Sequence, residues 1–213
     1  MRKLSLLVSA AFLVACSSAQ STEASSEDKS APAPVAASGQ TDTAILAGGC
    51  FWCVESDFEK FPGVIEVVSG YTGGDMLNPT YRNHGQHIEA AEITFDPAQV
   101  TYKQIVDHYW ITIDPTDPYG QFCDKGNAYT TAIFARPDQI DIAKMSKEMI
   151  EANKPFKDPI VTPVREAKTF WDAEDYHQDY YKKNPLKYKY YRNGCRRDKT
   201  LSKLWGDKAT SYK

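Results

Sequence analysis

Cys50 is the residue whose type and position are best suited to chemistry, because it follows Gly48-Gly49 and opens a predicted helix. A helix N-terminus presents unpaired N–H groups and a partial positive charge, and both favour a thiolate. We therefore expect a lowered pKa for the Cys50 thiol and a nucleophilic sulfur at neutral pH. The two glycines should let a substrate approach the backbone closely. Phe51 and Trp52 come next and indicate a rigid apolar surface suited to a methyl group bonded to sulfur.

The same position allows other interpretations. A free cysteine is often only a buried small apolar residue. With Cys53, the pair forms a C-x-x-C motif, as in thioredoxin-like disulfide oxidoreductases. In those proteins a tryptophan usually precedes the first cysteine, whereas here Trp52 lies inside the pair. The pair could also be half of a zinc site completed by His84, His87 or Cys123, but His84-x-x-His87 lacks clean ligand spacing with a second cysteine pair.

Glu89 is the second informative residue. The segment 88–95 alternates in the manner of a strand, and its period of two puts Glu89 on the same face as Ala91, Ile93 and Phe95. Burial of a carboxyl group raises its pKa towards neutrality. A carboxylic acid that is protonated near pH 7 is what general acid catalysis needs. The alternative is that Glu89 lies at the strand end and reaches water.

The N-terminal residues resemble a targeting segment. Arg2 and Lys3 precede an apolar run from Leu4 to Ala15, which is too short to remain as a membrane-spanning helix. The run ends in Leu13-Val14-Ala15-Cys16, similar to a bacterial lipobox, so residues 1–16 predict a lipoprotein signal peptide. Cys16 would carry the lipid, on an exported protein anchored to the periplasmic side of the outer membrane. Residues 17–40 are rich in Ser, Ala, Pro and Glu and predict a disordered tether.

The remaining residues, 41–213, suit one domain. The net charge of −3 is near balance, and no large basic cluster precedes the last few residues, which argues against a nucleic-acid partner. We expect no bound metal, flavin or nicotinamide. Export exposes cysteines to oxidising conditions, which favour structural disulfides. The spacing of the four cysteines in this domain is not that of a disulfide framework, however, and reactive thiols or a metal site are the stronger alternatives.

The predicted element order is strand–helix–strand–strand–helix–strand, which is typical of a split βαβ arrangement. We therefore expect an α+β fold: a ferredoxin-like plait with an antiparallel or mixed sheet, helices on one face, an extra helix and a coiled C-terminal tail. Thr101 and Gln104 have the spacing of a capping box at the second helix. The predicted strands are 43–47, 64–71, 88–95, 128–135 and 160–164, and the predicted helices are 50–61, 101–110 and 137–153.

Several motifs now carry a family resemblance. They occur in the order GGCFWCVES (48–56), GYTGG (70–74), NPTY (78–81), HIEAAEITFDP (87–97), IDPT (113–116) and CDKGNAYTTAIF (123–134). This set resembles the A-type peptide methionine sulfoxide reductases over nearly the whole domain, from residue 44 to 164. The first motif is highly specific for that family, and the ordered set is more so.

The resemblance implies an enzyme that reduces the S epimer of methionine sulfoxide, free or in proteins, and that repairs oxidised exported proteins. It also implies a role for each matching residue. Cys50 would attack, Glu89 would protonate the sulfoxide oxygen, Phe51 and Trp52 would line the methyl pocket, Tyr81 and Tyr129 would donate hydrogen bonds to that oxygen, Asp124 would organise the polar side, and Cys195 would resolve the sulfenic acid.

The sequence departs from the commonest family pattern in three places. The loop 81–89 is short, residues 127–131 read Asn-Ala-Tyr-Thr-Thr where Thr-Gln-Tyr-Arg-Ser is usual, and a second recycling cysteine in the tail is missing. The last departure implies one resolving step, a Cys50–Cys195 disulfide, before reduction by thioredoxin or a thioredoxin-like dithiol protein. We expect a monomer.

Overall fold

The computed structural model describes residues 39–210, so the predicted signal peptide, the lipidated Cys16 and nearly all of the predicted tether lie outside the described residues. The described strands are β1 (Asp42–Gly48), β2 (Val64–Thr72), β3 (Ile88–Phe95), β4 (Gly120–Gln121), β5 (Asp124–Lys125), β6 (Thr131–Ala135), β7 (Val164–Glu166) and β8 (Trp171–Asp172). The helices are α1 (Phe51–Phe58), α2 (Tyr102–Thr112), α3 (Ile140–Asn153), α4 (Tyr180–Lys183), α5 (Pro185–Gly194) and α6 (Arg197–Trp205).

A six-stranded mixed sheet organises the fold. Its strand order is β7-β6-β1-β3-β2-β8, and the pairings are antiparallel except for the parallel pair β6 and β7. Strands β4 and β5 form a separate short hairpin. The mixed sheet with several helices confirms the predicted α+β class.

The helices pack on one face of the sheet. Leu46, Ile93 and Ile133 point from three neighbouring strands into the main apolar core, which they share with side chains from α1, α2, α3 and α6. The opposite face carries a smaller apolar cluster, packed against Phe170 of the irregular segment before β8. Successive strand side chains point to opposite faces, so the helix-covered face also receives Glu89. Within residues 39–210, no helix is both long and apolar enough to cross a membrane.

Two local predictions match the structure closely. The strand 88–95 has the predicted bounds, because its alternation is unbroken until Asp96-Pro97. The capping box of α2 is present, with the Thr101 hydroxyl accepting from the Gln104 backbone N–H and the Gln104 side chain accepting from the Thr101 N–H. Such a box satisfies two backbone donors that the first helical turn leaves unpaired.

Other boundaries were wrong. The predicted strand 160–164 is irregular until Val164, because Pro159 and Pro163 have no N–H to donate to a neighbouring strand. The segment 127–129 is a short 3-10 turn, so β6 begins only at Thr131. The predicted helix at 137 begins at Ile140.

The C-terminal tail is part helix and part irregular: α4, α5 and α6 follow the irregular residues 173–179, so the expected coiled tail holds for only part of this region. Pro185 occupies the first turn of α5, where its missing N–H costs no helical hydrogen bond. Leu201 and Trp205 lie four residues apart on α6 and are buried in the main core. The Trp205 indole N–H also donates to the Ile113 carbonyl at 2.9 Å. Tertiary packing of this apolar stripe therefore orders a tail whose composition is strongly polar.

Candidate active site

The glycines before Cys50 are required by close packing within the protein. Gly49 has φ +82°, and a Cβ there would lie 2.5 Å from the Gln121 Cβ. A Cβ on Gly48 would lie 2.9 Å from a Val54 methyl. The glycines therefore allow β1 to turn sharply into α1, with Cys50 as the residue that caps the helix. These contacts are internal, so the expectation that the glycines admit a substrate to the backbone gains no support from them.

Glu89 lies beside this helix start. Its side chain is 1% exposed, and its carboxylate oxygen accepts a hydrogen bond from the Phe51 backbone N–H at 3.0 Å. Burial raises the pKa of Glu89 to about 8, although the Phe51 hydrogen bond opposes the shift. The predicted inward orientation and raised pKa are both confirmed. Glu89 therefore carries a proton at neutral pH, and it lies close enough to the Cys50 sulfur for their charges to interact.

The predicted lowering of the Cys50 pKa was wrong. The side chain is 5% exposed, and this burial, reinforced by Cys53 and Glu89, raises the pKa of Cys50 well above its usual range. A hydrogen bond with Tyr191 opposes the rise. Desolvation of the sulfur thus outweighs the partial charge of a short helix. The resting nucleophile is a thiol at neutral pH.

Cys53 has the opposite shift. Its hydrogen bond with Cys50, together with the guanidinium charges of Arg197 and Arg192, lowers its pKa to about 7 against the effect of burial. Both thiols are free, and they pack together with Tyr188. The two thiols therefore titrate together as one hydrogen-bonded pair.

The two aromatic residues after Cys50 have different surroundings. Phe51 is 1% exposed and packs against Tyr71 and His177, so it forms the base of the site. Trp52 is partly exposed, stacks on Tyr180 with ring centroids 3.7 Å apart, and donates its indole N–H to His177 Nδ1 at 3.1 Å. These contacts hold Trp52 in one orientation, as an apolar wall for a small substituent requires.

The predicted polar residues converge on the same region. The hydroxyls of Tyr81 and Tyr129 hydrogen-bond to each other, and the pKa of each is raised by burial, with the nearby Glu89 and Asp124 adding to the rise. Burial also raises the pKa of Asp124. The structure therefore brings together the acid and the two hydroxyls that the sequence placed far apart.

Three residues of this site were missed from the sequence. Tyr191, on α5, hydrogen-bonds to Cys50 and donates its hydroxyl to Asp124. Glu174 accepts from the Tyr71 hydroxyl at 3.1 Å and from the Tyr81 backbone N–H at 3.0 Å. His177 orients Trp52, as described above. The only available signal was the density of polar aromatic residues in the tail, which does not rank one tyrosine above another.

The disulfide in this structure differs from the predicted Cys50–Cys195 reaction intermediate, which stays a prediction. Cys195 is bonded to Cys123, with the two Cα atoms 4.9 Å apart, and Cys50 remains free. Cys195 lies at the junction of α5 and α6, and Cys123 lies in the two-residue turn between β4 and β5. The Cys50 sulfur points instead into the buried cluster with Cys53. Cys195 is therefore paired with an exposed cysteine at the surface.

The zinc interpretation is not favoured by the histidine contacts. His87 Nδ1 accepts from the Gly74 N–H at 3.2 Å, and Nε2 lies 2.8 Å from the Met76 carbonyl, so both ring nitrogens hold the loop after β2. His84 stacks on Tyr71. Among residues 39–210, the clusters of possible metal donors are Cys123–Asp124–Cys195 and Glu55–Glu59–Asp179, and neither contains these histidines.

A buried thiol beside a protonated carboxylic acid, with a second pair of cysteines joined at the surface, defines a thiol-dependent oxidoreductase. Residues 42–209 match the family model described as peptide methionine sulfoxide reductase. The chain is 54% identical over 168 residues to peptide methionine sulfoxide reductase MsrA 2 of Rhizobium meliloti, which covers 78% of this chain and 84% of that protein. It is 48% identical over 181 residues to MsrA 2 of Caulobacter vibrioides, which covers 83% of this chain and 91% of that protein.

Solved structures agree with these relatives. Methionine sulfoxide reductase A of Corynebacterium diphtheriae is 35% identical, with a TM-score of 0.62, over 70% of this chain and 78% of that chain. Reduced Mxr1 from Saccharomyces cerevisiae is 27% identical, with a TM-score of 0.64, over 69% of this chain and 87% of that chain. The chain belongs to the peptide methionine sulfoxide reductase family, A type. It is an oxidoreductase that reduces methionine sulfoxide.

Proposed function

We propose that this enzyme reduces the S epimer of methionine sulfoxide in exported proteins, with Cys50 as the nucleophile and Glu89 as the general acid. The observation that carries the proposal is the buried Glu89, which has a pKa of about 8 and is bonded to the backbone N–H of Phe51, the residue after the nucleophile. An acid that is protonated at neutral pH and held beside a sulfur nucleophile fits reduction of a sulfoxide. Such an acid is not needed for simple disulfide exchange.

The first step forms a bond between the Cys50 sulfur and the sulfoxide sulfur. As this bond forms, Glu89 gives its proton to the sulfoxide oxygen, and the proton of the Cys50 thiol passes to the Glu89 carboxylate. The hydroxyl group then transfers to the Cys50 sulfur, and methionine leaves as the thioether. The methionine sulfur gains two electrons and Cys50 loses two, which leaves Cys50 as a sulfenic acid.

Substrate orientation follows from the surrounding side chains. The methyl group would lie against Trp52 above the buried Phe51 ring, since both rings are fixed by packing. The sulfoxide oxygen would face Tyr81 and Tyr129, whose hydroxyls already share a hydrogen bond and can turn to donate to it. Asp124 would complete this polar side, held in place by the hydrogen bond that it accepts from the Tyr191 hydroxyl. A fixed apolar side and a fixed polar side distinguish the two sulfoxide epimers.

Recycling would begin when the Cys195 thiol attacks the Cys50 sulfenic acid, which forms a Cys50–Cys195 disulfide and releases water. A thioredoxin-like dithiol protein would supply the reducing equivalents by thiol–disulfide exchange. Cys53 competes for the first of these steps, because it packs beside Cys50 as a free thiol.

The location and assembly of the enzyme are part of the proposal. The lipobox-like sequence supports lipidation at Cys16 and attachment to the periplasmic side of the outer membrane, as a monomer. Replacement of Cys16 by alanine is expected to release an active enzyme from the membrane fraction, and a variant that stays membrane-bound would contradict the anchor.

For the fold, we propose that the strands β6-β1-β3-β2 with α1 and α2 form a ferredoxin-like plait, since their order and connections match that arrangement.

The reaction itself is tested by incubating the purified protein with dithiothreitol and each epimer of a methionine sulfoxide peptide, and following the thioether product. We expect product from the S epimer only, and no product from a folded Cys50→Ser variant. Product from the R epimer would contradict the proposed orientation. Turnover by the Cys50→Ser variant would remove Cys50 from the nucleophilic role.

A further inference from the structure

The disulfide between Cys123 and Cys195 links the β4–β5 hairpin to the end of α5. The recycling reaction proposed above uses Cys195 but gives Cys123 no role. We propose that Cys123 is the second recycling cysteine: it attacks the Cys50–Cys195 disulfide, frees Cys50 for another turnover, and leaves a Cys123–Cys195 disulfide for the external reductant. This inference rests on the proposed function, and it replaces the single resolving step that the tail sequence implied.

Access to the sulfurs is the first argument. Thiol–disulfide exchange requires the attacking thiol to reach a disulfide sulfur. Cys50 is 5% exposed and lies among Cys53 and Tyr188, so the active-site thiol of another protein cannot reach it. Cys123 is exposed in a hairpin turn, and Cys195 is half-buried beside it. The Cys123–Cys195 bond is therefore the disulfide that a protein dithiol can reduce.

The contacts of α5 connect this disulfide to the nucleophile. Tyr191 hydrogen-bonds to Cys50 and donates its hydroxyl to Asp124, the residue after Cys123. The Tyr191 carbonyl accepts from the Cys195 backbone N–H at 2.9 Å, one helical turn further on. Nucleophile, tail and hairpin therefore meet at Tyr191.

The anchor of α6 makes a second connection. Arg197 is 2% exposed, and its guanidinium donates to the Gly48 carbonyl at 3.1 Å and to the Thr112 carbonyl at 2.8 Å. Gly48 belongs to the turn that carries Cys50. Cys195, two residues before Arg197, is thereby held near the nucleophile's turn as well as near Cys123.

Cys195 lies in the short junction between two helices. Helix α5 ends at Gly194, where an added Cβ would meet no atom within 4 Å, and Arg196 follows with φ +56°. The buried Arg197 then fixes the start of α6. The short junction between α5 and α6 is therefore the segment whose movement would carry Cys195 from the sulfur of Cys50 to that of Cys123.

The exchange balances in atoms and electrons. The Cys123 thiolate attacks the Cys195 sulfur of the Cys50–Cys195 disulfide, forms the Cys123–Cys195 bond and releases the Cys50 thiolate, which takes up a proton. No net oxidation occurs, because one disulfide replaces another. A dithiol protein then attacks the exposed Cys123 sulfur, and its second thiol completes the transfer of two electrons, which returns Cys123 and Cys195 to thiols.

The surface beside Cys123 leaves room for that donor. A shallow depression of about 600 Å³ is lined by Cys123, Tyr190, Tyr191, Asn193, Gly194 and Cys195. Tyr190 is 84% exposed at its edge. The sulfurs thus lie in an open and largely apolar surface, which is the access that a protein reductant needs.

The test counts methionine formed without a reductant. The full chain in detergent is reduced, freed of reductant and mixed with excess S-epimer peptide. We expect two methionines per wild-type chain, since Cys50 is released once to react again, and one per Cys123→Ser chain. Peptide mapping after one equivalent of substrate should give a Cys123–Cys195 link in the wild type and a Cys50–Cys195 link in Cys123→Ser.

Each outcome separates the alternatives. One methionine per wild-type chain, or two per Cys123→Ser chain, would overturn the relay and leave Cys123–Cys195 as a structural bond. The single methionine from Cys123→Ser also demonstrates that this variant is folded at its active site. Failure of the proposed function itself would give no methionine from any of these proteins.

Discussion

Replacement of Glu89 by glutamine removes the proton from the active site while keeping its geometry. The glutamine carbonyl can still accept the hydrogen bond that Glu89 accepts from the Phe51 N–H at 3.0 Å. With a pKa of about 8, roughly nine in ten Glu89 side chains are protonated at pH 7, against about one in 300 for a glutamate at its ordinary value of 4.5. We expect the rate of sulfoxide reduction to fall by about 10²–10⁴-fold, the usual contribution of a general acid.

The assay is a single-turnover measurement of methionine formation over a pH series. The wild-type rate should lose its acid contribution as the pH rises through about 8, where Glu89 ionises, and the variant should lack this feature. The variant should also be slowed least at low pH, where solvent supplies protons. Glu92→Gln is a matched control, because Glu92 lies on the same strand but on its opposite face. A Glu89→Gln rate close to that of the wild type would refute the reasoning.

Three further predictions concern stability and the tail. Since the folded-state pKa of Glu89 is raised, its stabilising contribution is complete below pH 4.5 and is lost as the pH rises towards 8. Glu89→Gln should therefore raise the free energy of unfolding in urea by on the order of 1–3 kcal/mol at pH 7, and this advantage should disappear near pH 4. Tyr191→Phe should lower kcat/KM by about tenfold in steady-state assays, because it removes the hydroxyl that bonds to Cys50 and Asp124; an unchanged value would exclude that role. Trp205→Ala should cost about 3–5 kcal/mol in urea unfolding, because the indole is 2% exposed in the core; a loss below about 1 kcal/mol would mean that α6 is not docked as described.

The parts of the site that follow from local pattern could be predicted from the sequence. Alternation in 88–95 was enough to place Glu89 on the buried face, and burial alone implies the raised pKa that the structure gives it. The Gly-Gly-Cys sequence placed Cys50 at a strand-to-helix turn. The capping box located the start of α2 because its two hydrogen bonds involve residues only three apart.

The parts of the site that depend on contacts between residues distant in sequence could not be predicted. The effect of a helix N-terminus on Cys50 is local, but the desolvation that outweighs it comes from the tail packed over the sulfur. Tyr191 reaches Cys50 across more than half of the described chain, and nothing in its surroundings distinguishes it from the other tail tyrosines. The pairing of Cys195 with Cys123 likewise depends on how α5 docks beside a hairpin of only two short strands.

The nucleophilic role of Cys50 is tested most directly by trapping its sulfenic acid. A Cys195→Ser variant cannot form the resolving disulfide, so one equivalent of S-epimer peptide should leave oxidised Cys50 available to a sulfenic-acid-selective dimedone probe. Mass spectrometry of the digested protein should find the adduct on Cys50, in an amount that matches the methionine formed, and no adduct after treatment with the R epimer. Methionine formation with the adduct on Cys53 or Cys123 instead would contradict Cys50 as the attacking residue.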